Sequence, residues 1–386
     1  MNDERHAVIV AARRTAVVPK GGAFKGLQAD ELAAPVLRQL ITDAGIRPDQ
    51  VDQVILGNAL YGGGNPARLA ALRAGIPQSV PAMTIDTQCC SGLDAILIAA
   101  RLVASGAAQC VLAGGTESFS RAPIRMHRPA GPGESAIAYA RPPFAPAPFE
   151  DPDLTDAAAR LALERHITRD DQIRYAIASH QAALASASVT KDRLVRPEGV
   201  DLDMDPFSRN LTPGTARRAP ILSGDAETGL SAATIACEAD GAAAVLIVAG
   251  REGAGDGFTG LKVLNGASVG HDPSKPALGP IAVAWDLFRN LEMKPEDLES
   301  VEIMEAYAPQ AMVTAEELGI VPEQLNRMGG ALARGHPIGA SGAVLAVQLY
   351  ETLRSGRVSY RGAQKRGMAL IAAAGGLASG MAVETV

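Results

Sequence analysis

The sequence predicts an α/β protein made of two similar halves. Three observations predict it: a composition that favours close packing, an internal repeat, and the strand, helix, strand order of features within each copy. With 386 residues, 47% of them hydrophobic, the chain can bury the core of one large or two ordinary domains. Its 40 glycines and 25 prolines, against 4% aromatic residues, suit small-residue packing and many tight turns.

The elements follow in chain order. Ala7-Val8-Ile9-Val10 reads as a short strand. Pro48 to Leu56 resembles Pro295 to Ile303, each a polar turn leading into a strand-like run. Ser91-Gly92 opens an apolar helical stretch to Ser105-Gly106, and Ser341-Gly342 opens another to Ser355-Gly356. After each comes a strand ending in glycines, Val111 to Gly115 and Leu370 to Gly376. Short apolar strands without alternation imply a sheet covered on both faces, and two such halves pack about a pseudo-two-fold axis. Between Leu93 and Val103 only Asp94 and Arg101 interrupt the apolar run, which marks a largely buried helix.

Between the copies the texture changes. Arg121 to Pro152 is crowded with Pro, Gly and Arg and cannot be regular helix or central strand. It reads as part of a loop-rich insertion at about 119–225. Leu154 to Ala187 reads as helical, with Thr155 as the first cap and Thr168-Arg169-Asp170-Asp171 as a second helix start. Strand character returns from Gly241 to Val248, and a linker of glycine and charge covers Gly250 to Gly257. The expected division is residues 1–250 for the N-terminal half and 255–386 for the C-terminal half.

A formal charge of −6 with no Lys/Arg block leaves no electrostatic footprint for nucleic acid or an anionic membrane. No apolar run reaches the length of a membrane span, and the N-terminal apolar run is too short for a signal peptide, so a cytoplasmic protein is expected. Four cysteines, Cys89, Cys90, Cys110 and Cys237, make no disulfide framework, and no His/Cys spacing resembles a zinc site, so no metal is expected.

Two residues stand out chemically. Cys89 precedes the buried helix, where unpaired N–H groups and the macrodipole favour a thiolate. An ordinary buried cysteine is the plain alternative. His336 lies in the glycine-rich run Gly329 to Gly342, just before the matching helix of the second half. A structural histidine is its alternative. If the halves pack about a pseudo-two-fold axis, both helix starts point to a common centre and the two residues meet there.

Cys89-Cys90-Ser91-Gly92-Leu93-Asp94-Ala95 resembles the nucleophile motif of the thiolase superfamily, and Gly335 to Gly342 is similar to its histidine motif. Gly64 to Arg68, Ala113 to Ser118, Ala178 to Gln181, Asp240 to Ala243 and Leu278 to Pro280 look like thiolase segments in the expected order. The resemblance covers almost the whole chain. It implies a five-layered α/β/α/β/α fold with an inserted loop domain, assembled as a homodimer or homotetramer. It also implies ping-pong acyl transfer, in which Cys89 attacks an acyl-CoA or acyl-carrier thioester, promoted by His336. Backbone N–H groups of Cys89 and of the loop Ala374, Gly375, Gly376 would hold the oxyanion. CoA would be a substrate, with no tightly bound cofactor. Arg217 and Arg218 are candidate phosphate partners, with a solvated surface pair as the alternative.

The pattern breaks at two positions. The family's Asn-Glu-Ala-Phe-Ala is here Met304-Glu305-Ala306-Tyr307-Ala308, so the asparagine that fixes an enolate-stabilising water is replaced by Met304. The family's second cysteine falls at Ala372, and no cysteine follows Cys237. A missing base costs about 10²–10⁴-fold and a missing oxyanion donor about 10²–10³-fold. The expected function is therefore an acyltransferase that loads Cys89 and passes the acyl group to a non-standard acceptor, with or without C–C bond formation. One alternative is a conventional acetyl-CoA acetyltransferase or 3-ketoacyl-CoA thiolase with a substitute acid/base among Glu305, Glu117, Tyr307 and His127. Another is a non-catalytic acyl-CoA-binding or structural subunit, and a partner subunit that completes the site is a further option.

Overall fold

In the computed structural model, residues 5–251, 259–354 and 364–386 are described. The core strands are β1 (Arg5–Thr15), β2 (Gln53–Gly57), β3 (Ala82–Ile85), β4 (Cys110–Glu117), β5 (Ala239–Arg251), β6 (Leu261–Gly270), β7 (Leu298–Ile303), β8 (Arg366–Ala373) and β9 (Leu377–Thr385). They lie in the order β7-β8-β9-β6-β1-β5-β4-β2-β3. Reading outward from the middle, β1-β5-β4-β2 and β6-β9-β8-β7 repeat one pattern: two antiparallel pairings, then a parallel one. The halves join where β1 pairs antiparallel with β6, through Val8 with Lys262 and Ile9 with Leu261.

The helices complete the layers. On the N-terminal half α1 (Ala29–Asp43) and α2 (Pro66–Arg73) cover the outer face. On the C-terminal half α6 (Gly279–Asn290) and α7 (Ala308–Glu317) do the same. Between the half-sheets run α3 (Ser91–Ala104) and α8 (Ile338–Arg354), which touch each other and share one apolar core with both sheets. This is the five-layered α/β/α/β/α arrangement. The insertion supplies α4 (Leu154–Glu164) and α5 (Arg169–Ala185), which pack on α7.

The repeat read from the sequence maps onto equivalent elements. Pro48–Gln50 and Pro295–Asp297 are matching 3₁₀ turns before β2 and β7. The central helices meet backbone to backbone: a Cβ on Gly92 would lie 2.8 Å from Ala343 N, and one on Gly342 would lie 2.6 Å from Leu93 N. The contact is reciprocal, residue for residue, as a pseudo-two-fold axis requires.

Local boundaries differ in places. The second central helix begins at Ile338, three residues before Ser341, because Ala340 and Ser341 N–H already bond to Pro337 O. Asp153, not Thr155, caps α4, since its carboxylate accepts from the N–H of Thr155 and Asp156. Thr168 caps α5 with Asp171 in a reciprocal box. Between Arg121 and Pro152 the regular structure is two two-residue strands. The linker from Gly250 to Gly257 falls almost wholly outside the described residues, as do the 255 boundary and the Ser355-Gly356 helix end.

Candidate active site

Cys89 sits two residues before α3, and Gln88 before it takes a left-handed conformation, φ 57°, which turns the chain sharply into the helix. His336 is brought in from the other half, held by its N–H on Cys237 O at 2.8 Å. Cys89 Sγ and His336 Nε2 are 3.2 Å apart. His336 Nδ1 lies 2.6 Å from Ser341 Oγ, and that hydroxyl donates to Pro337 O at 3.1 Å. A hydroxyl has one proton, so with it spent on Pro337 the serine accepts from Nδ1–H. Nε2 is then the free lone pair, aimed at the thiol.

The electrostatics overturn the expectation of a resting thiolate. Burial pushes the Cys89 thiol up to about 12, against the pull of backbone N–H groups of Cys89 and Ala374 on the sulfur. Burial also pushes His336 down to about 4. The resting pair is thus a neutral thiol facing a neutral imidazole, because desolvation outweighs the helix terminus.

The two N–H groups at the sulfur come from α3's approach and from the β8–β9 turn. Gly375 and Gly376 have φ of 74° and 76° there, and a Cβ on Gly375 would meet Phe144 O of the insertion at 2.8 Å. The turn needs glycine to present the Ala374 N–H.

A cavity of about 100 Å³ opens on the pair. Its wall is largely apolar, from Leu154, Ala157, Ala158, Ile235, Pro276 and Ala277, and includes Ala372, Ala373 and Ala374. Ala372 faces the space, half-buried, while Met304 is 2% exposed in the core with Cys90, Ile371 and Ala373.

Of the four candidates for a substitute acid or base, Tyr307 alone lines the cavity, with its phenol pushed up to about 12 by burial and bonded to Thr155. Glu305 accepts from Tyr175 Oη, Ser179 Oγ, Asn326 Nδ2 and Leu332 N–H, a saturated structural carboxylate. Glu117 accepts from Asn58 Nδ2, Ala59 N–H and Gly339 N–H, and burial raises it to about 7. It clamps the start of α8 to the N-terminal half. His127 is exposed on a two-residue strand, stacked on Tyr139 at 4.3 Å. Neither Arg217 nor Arg218 lines the cavity; Arg217 pairs with Asp170 at 3.0 Å and Arg218 lies 3.4 Å from Thr215 Oγ1.

Two residues went unread in the sequence. Ser341 orients the imidazole, and its only signal was a hydroxyl one helical turn after His336. Gln310, in the first turn of α7, lines the cavity at 2% exposure. Its polarity amid Ala308-Pro309-Gln310-Ala311-Met312-Val313 was the available sign. Among the described residues there is no helix long and apolar enough to cross a membrane, and no group of three or more His, Cys, Asp or Glu that could hold a metal ion.

Residues 7–251 match the model "Thiolase, N-terminal domain" and residues 261–385 match "Thiolase, C-terminal domain". The chain is 38% identical over 352 residues to "Putative acetyl-CoA C-acetyltransferase YhfS" of Bacillus subtilis (strain 168), spanning 89% of this chain and 91% of that protein. It is 36% identical over 353 residues to "Putative acetyl-CoA C-acetyltransferase VraB" of Staphylococcus aureus (strain MRSA252), spanning 89% and 92%. The crystal structure of the Bacillus anthracis acetyl-CoA acetyltransferase superposes with a TM-score of 0.87 at 28% identity, covering 100% of both chains. That of human mitochondrial 3-ketoacyl-CoA thiolase in complex with CoA does so with a TM-score of 0.86 at 27% identity, covering 99% of this chain and 98% of that one.

Proposed function

This chain belongs to the thiolase family and is an acyltransferase, and we propose that it carries its acyl group on Cys89 and delivers it to an acceptor that needs no second cysteine. The observation that carries this reading is the 3.2 Å contact between Cys89 Sγ and His336 Nε2, in a cavity whose wall has alanine at 372.

In the first step Nε2 takes the Sγ proton as the sulfur attacks the carbonyl carbon of a CoA thioester. The carbonyl oxygen becomes an oxyanion that accepts from the N–H groups of Cys89 and Ala374. Collapse breaks the bond to CoA, whose thiolate leaves with the proton from Nε2. In the second step the acceptor attacks the acyl carbon and the Cys89 thiolate departs, regaining its proton through His336 Nε2 from the acceptor or from water. An acceptor that is already nucleophilic, or that makes its carbanion by decarboxylation, needs no base at the Ala372 position.

A second reading is a conventional acetyl-CoA acetyltransferase or 3-ketoacyl-CoA thiolase with Tyr307 as the substitute acid/base. Tyr307's place in the cavity wall and the names of the relatives favour it. A non-catalytic subunit is the weakest reading, because such a protein has no use for the paired thiol and imidazole.

Intact-protein mass spectrometry after incubation with acyl-CoAs tests the first step. An acyl adduct lost in Cys89→Ala is expected; no adduct, or one that persists in the variant, overturns the reading. Acetoacetyl-CoA thiolysis separates the two enzymes, since turnover at an ordinary thiolase rate that Tyr307→Phe removes establishes the second. Light scattering tests the expected dimer or tetramer.

A further inference from the structure

The turn that carries Ala374 is held from two sides. On the sheet side, His271, just past the end of β6, donates its N–H to Gly376 O at 2.6 Å. On the other side lies the insertion. The three atoms nearest a Cβ on Gly375 would all belong to Phe144, its carbonyl oxygen at 2.8 Å and its carbonyl carbon and Cβ at 3.7 Å. Gly375 and Gly376 have no side chains to resist rotation, so contacts from outside the turn keep the Ala374 N–H on one line.

Phe144 is itself fixed in place. Its N–H donates to Asp151 Oδ2 at 3.0 Å, and Arg141 donates to both oxygens of the same carboxylate and to Pro152 O at 2.8 Å. The Arg141 guanidinium also stands 5.0 Å from the centre of the Phe144 ring. Residues 141–152 thus form a loop closed at its base and seated on the active-site turn through a backbone carbonyl. An ion pair whose side chains are 36% and 20% exposed adds little to stability, which leaves the seating of Phe144 as its main effect. We propose that Arg141 and Asp151 are positioning residues for acyl transfer: by closing the loop they hold Phe144 O against Gly375 and so fix the Ala374 N–H on the oxygen of the acyl thioester. This rests on the acyl-cysteine reading and its oxyanion donors. Neither residue lines the cavity. Breaking the pair loosens a donor without deleting it, so the loss in rate is smaller than the roughly 10²–10³-fold that deletion of a donor costs.

The test follows Cys89 acylation by acetyl-CoA in the wild type, Arg141→Ala, Asp151→Asn and Arg141→Lys. Mass spectrometry reads the maximal rate and the half-saturating concentration. Isotope-difference infrared spectroscopy reads the carbonyl stretch of the acyl-enzyme, made from acetyl-CoA labelled at its carbonyl carbon. Arg141→Ala and Asp151→Asn are expected to lower the maximal rate roughly tenfold and leave the half-saturating concentration unchanged. Their carbonyl band should move to higher frequency, as weaker hydrogen bonding to the oxygen requires. Arg141→Lys, which keeps the charge but loses the fork, should recover part of both effects. Thermal melting should move little in any variant. An unchanged rate, or a slower one with the band unmoved, overturns this inference while leaving acyl-Cys89 standing. A raised half-saturating concentration at an unchanged maximal rate assigns the loop to holding CoA, and a lower melting temperature alone assigns it to the fold; either result overturns it. No adduct in the wild type overturns the acyl-cysteine reading and this inference together.

Discussion

Cys89 and His336 each titrate far from neutrality, at about 12 and about 4, and neither is charged at physiological pH. Acylation in this arrangement needs the neutral imidazole, which persists down to about pH 4. The rate of Cys89 acylation should therefore be level across pH 5 to 8, without the usual inflection near 6.5, and fall only as pH drops toward about 4. A stopped assay of adduct formation against pH checks this; a step centred near 6.5 would refute it. Ser341 fixes which nitrogen faces the thiol, so Ser341→Ala should slow acylation by roughly 10²-fold, within the 10⁴-fold that a wrong tautomer costs, while leaving the fold intact by circular dichroism. The meeting of Cys89 with His336 was legible because each stands beside glycines at the start of a repeated helix. The thiolate was misread because sequence shows helix starts and does not show how dry they are.

Arg14, Asp205 and Arg334 form a buried bridge between β1, the insertion and the turn before His336. Arg14 contacts Asp205 at 2.7 Å and Arg334 contacts it at 2.8 Å. The two guanidinium groups hold this carboxyl down at about 2 against burial. Asp205→Asn leaves two buried cations without their anion, and it should cost about 3–5 kcal/mol in urea unfolding. Because Arg334 is two residues from the imidazole, acylation should slow in the same variant below its melting temperature. At this scale the periodic elements were readable: both central helices, the paired 3₁₀ turns and the strand behind each helix. The bridge was not, because it joins positions 14, 205 and 334, and charge pairing across such distances leaves no local pattern. Likewise Asp153 displaced Thr155 as cap by a two-residue offset that propensity does not resolve.

Buried carboxylates set how the whole molecule responds to pH. Glu117 and Glu302 are raised to about 7 and about 8 by burial, so the folded state holds their protons where the unfolded chain has lost them. Each destabilises the fold as pH rises from 4.5 through its folded value. His180 and His336, both lowered to about 4, act oppositely, since their stability is lost as pH falls from 6.5 to about 4. Above pH 6.5 the histidines no longer contribute a slope, and unfolding free energy should decline toward pH 8. Glu302→Gln should flatten that decline, as read by denaturant titrations at a series of pH values; an unchanged slope would refute the assignment. Five layers and two halves followed from the repeat and the resemblance, whereas the acid–base response depends on burial that only the packed molecule defines.

Cys89 belongs to one half and the imidazole it faces to the other, 247 positions later in the chain. During synthesis the thiol therefore stands apart from its imidazole partner until the second half has been made and α8 has docked against α3. A nascent chain holds Cys89 as an ordinary solvated thiol. Completion of folding is what dries the thiol and brings the two groups together, so the pair is a property of the finished chain alone.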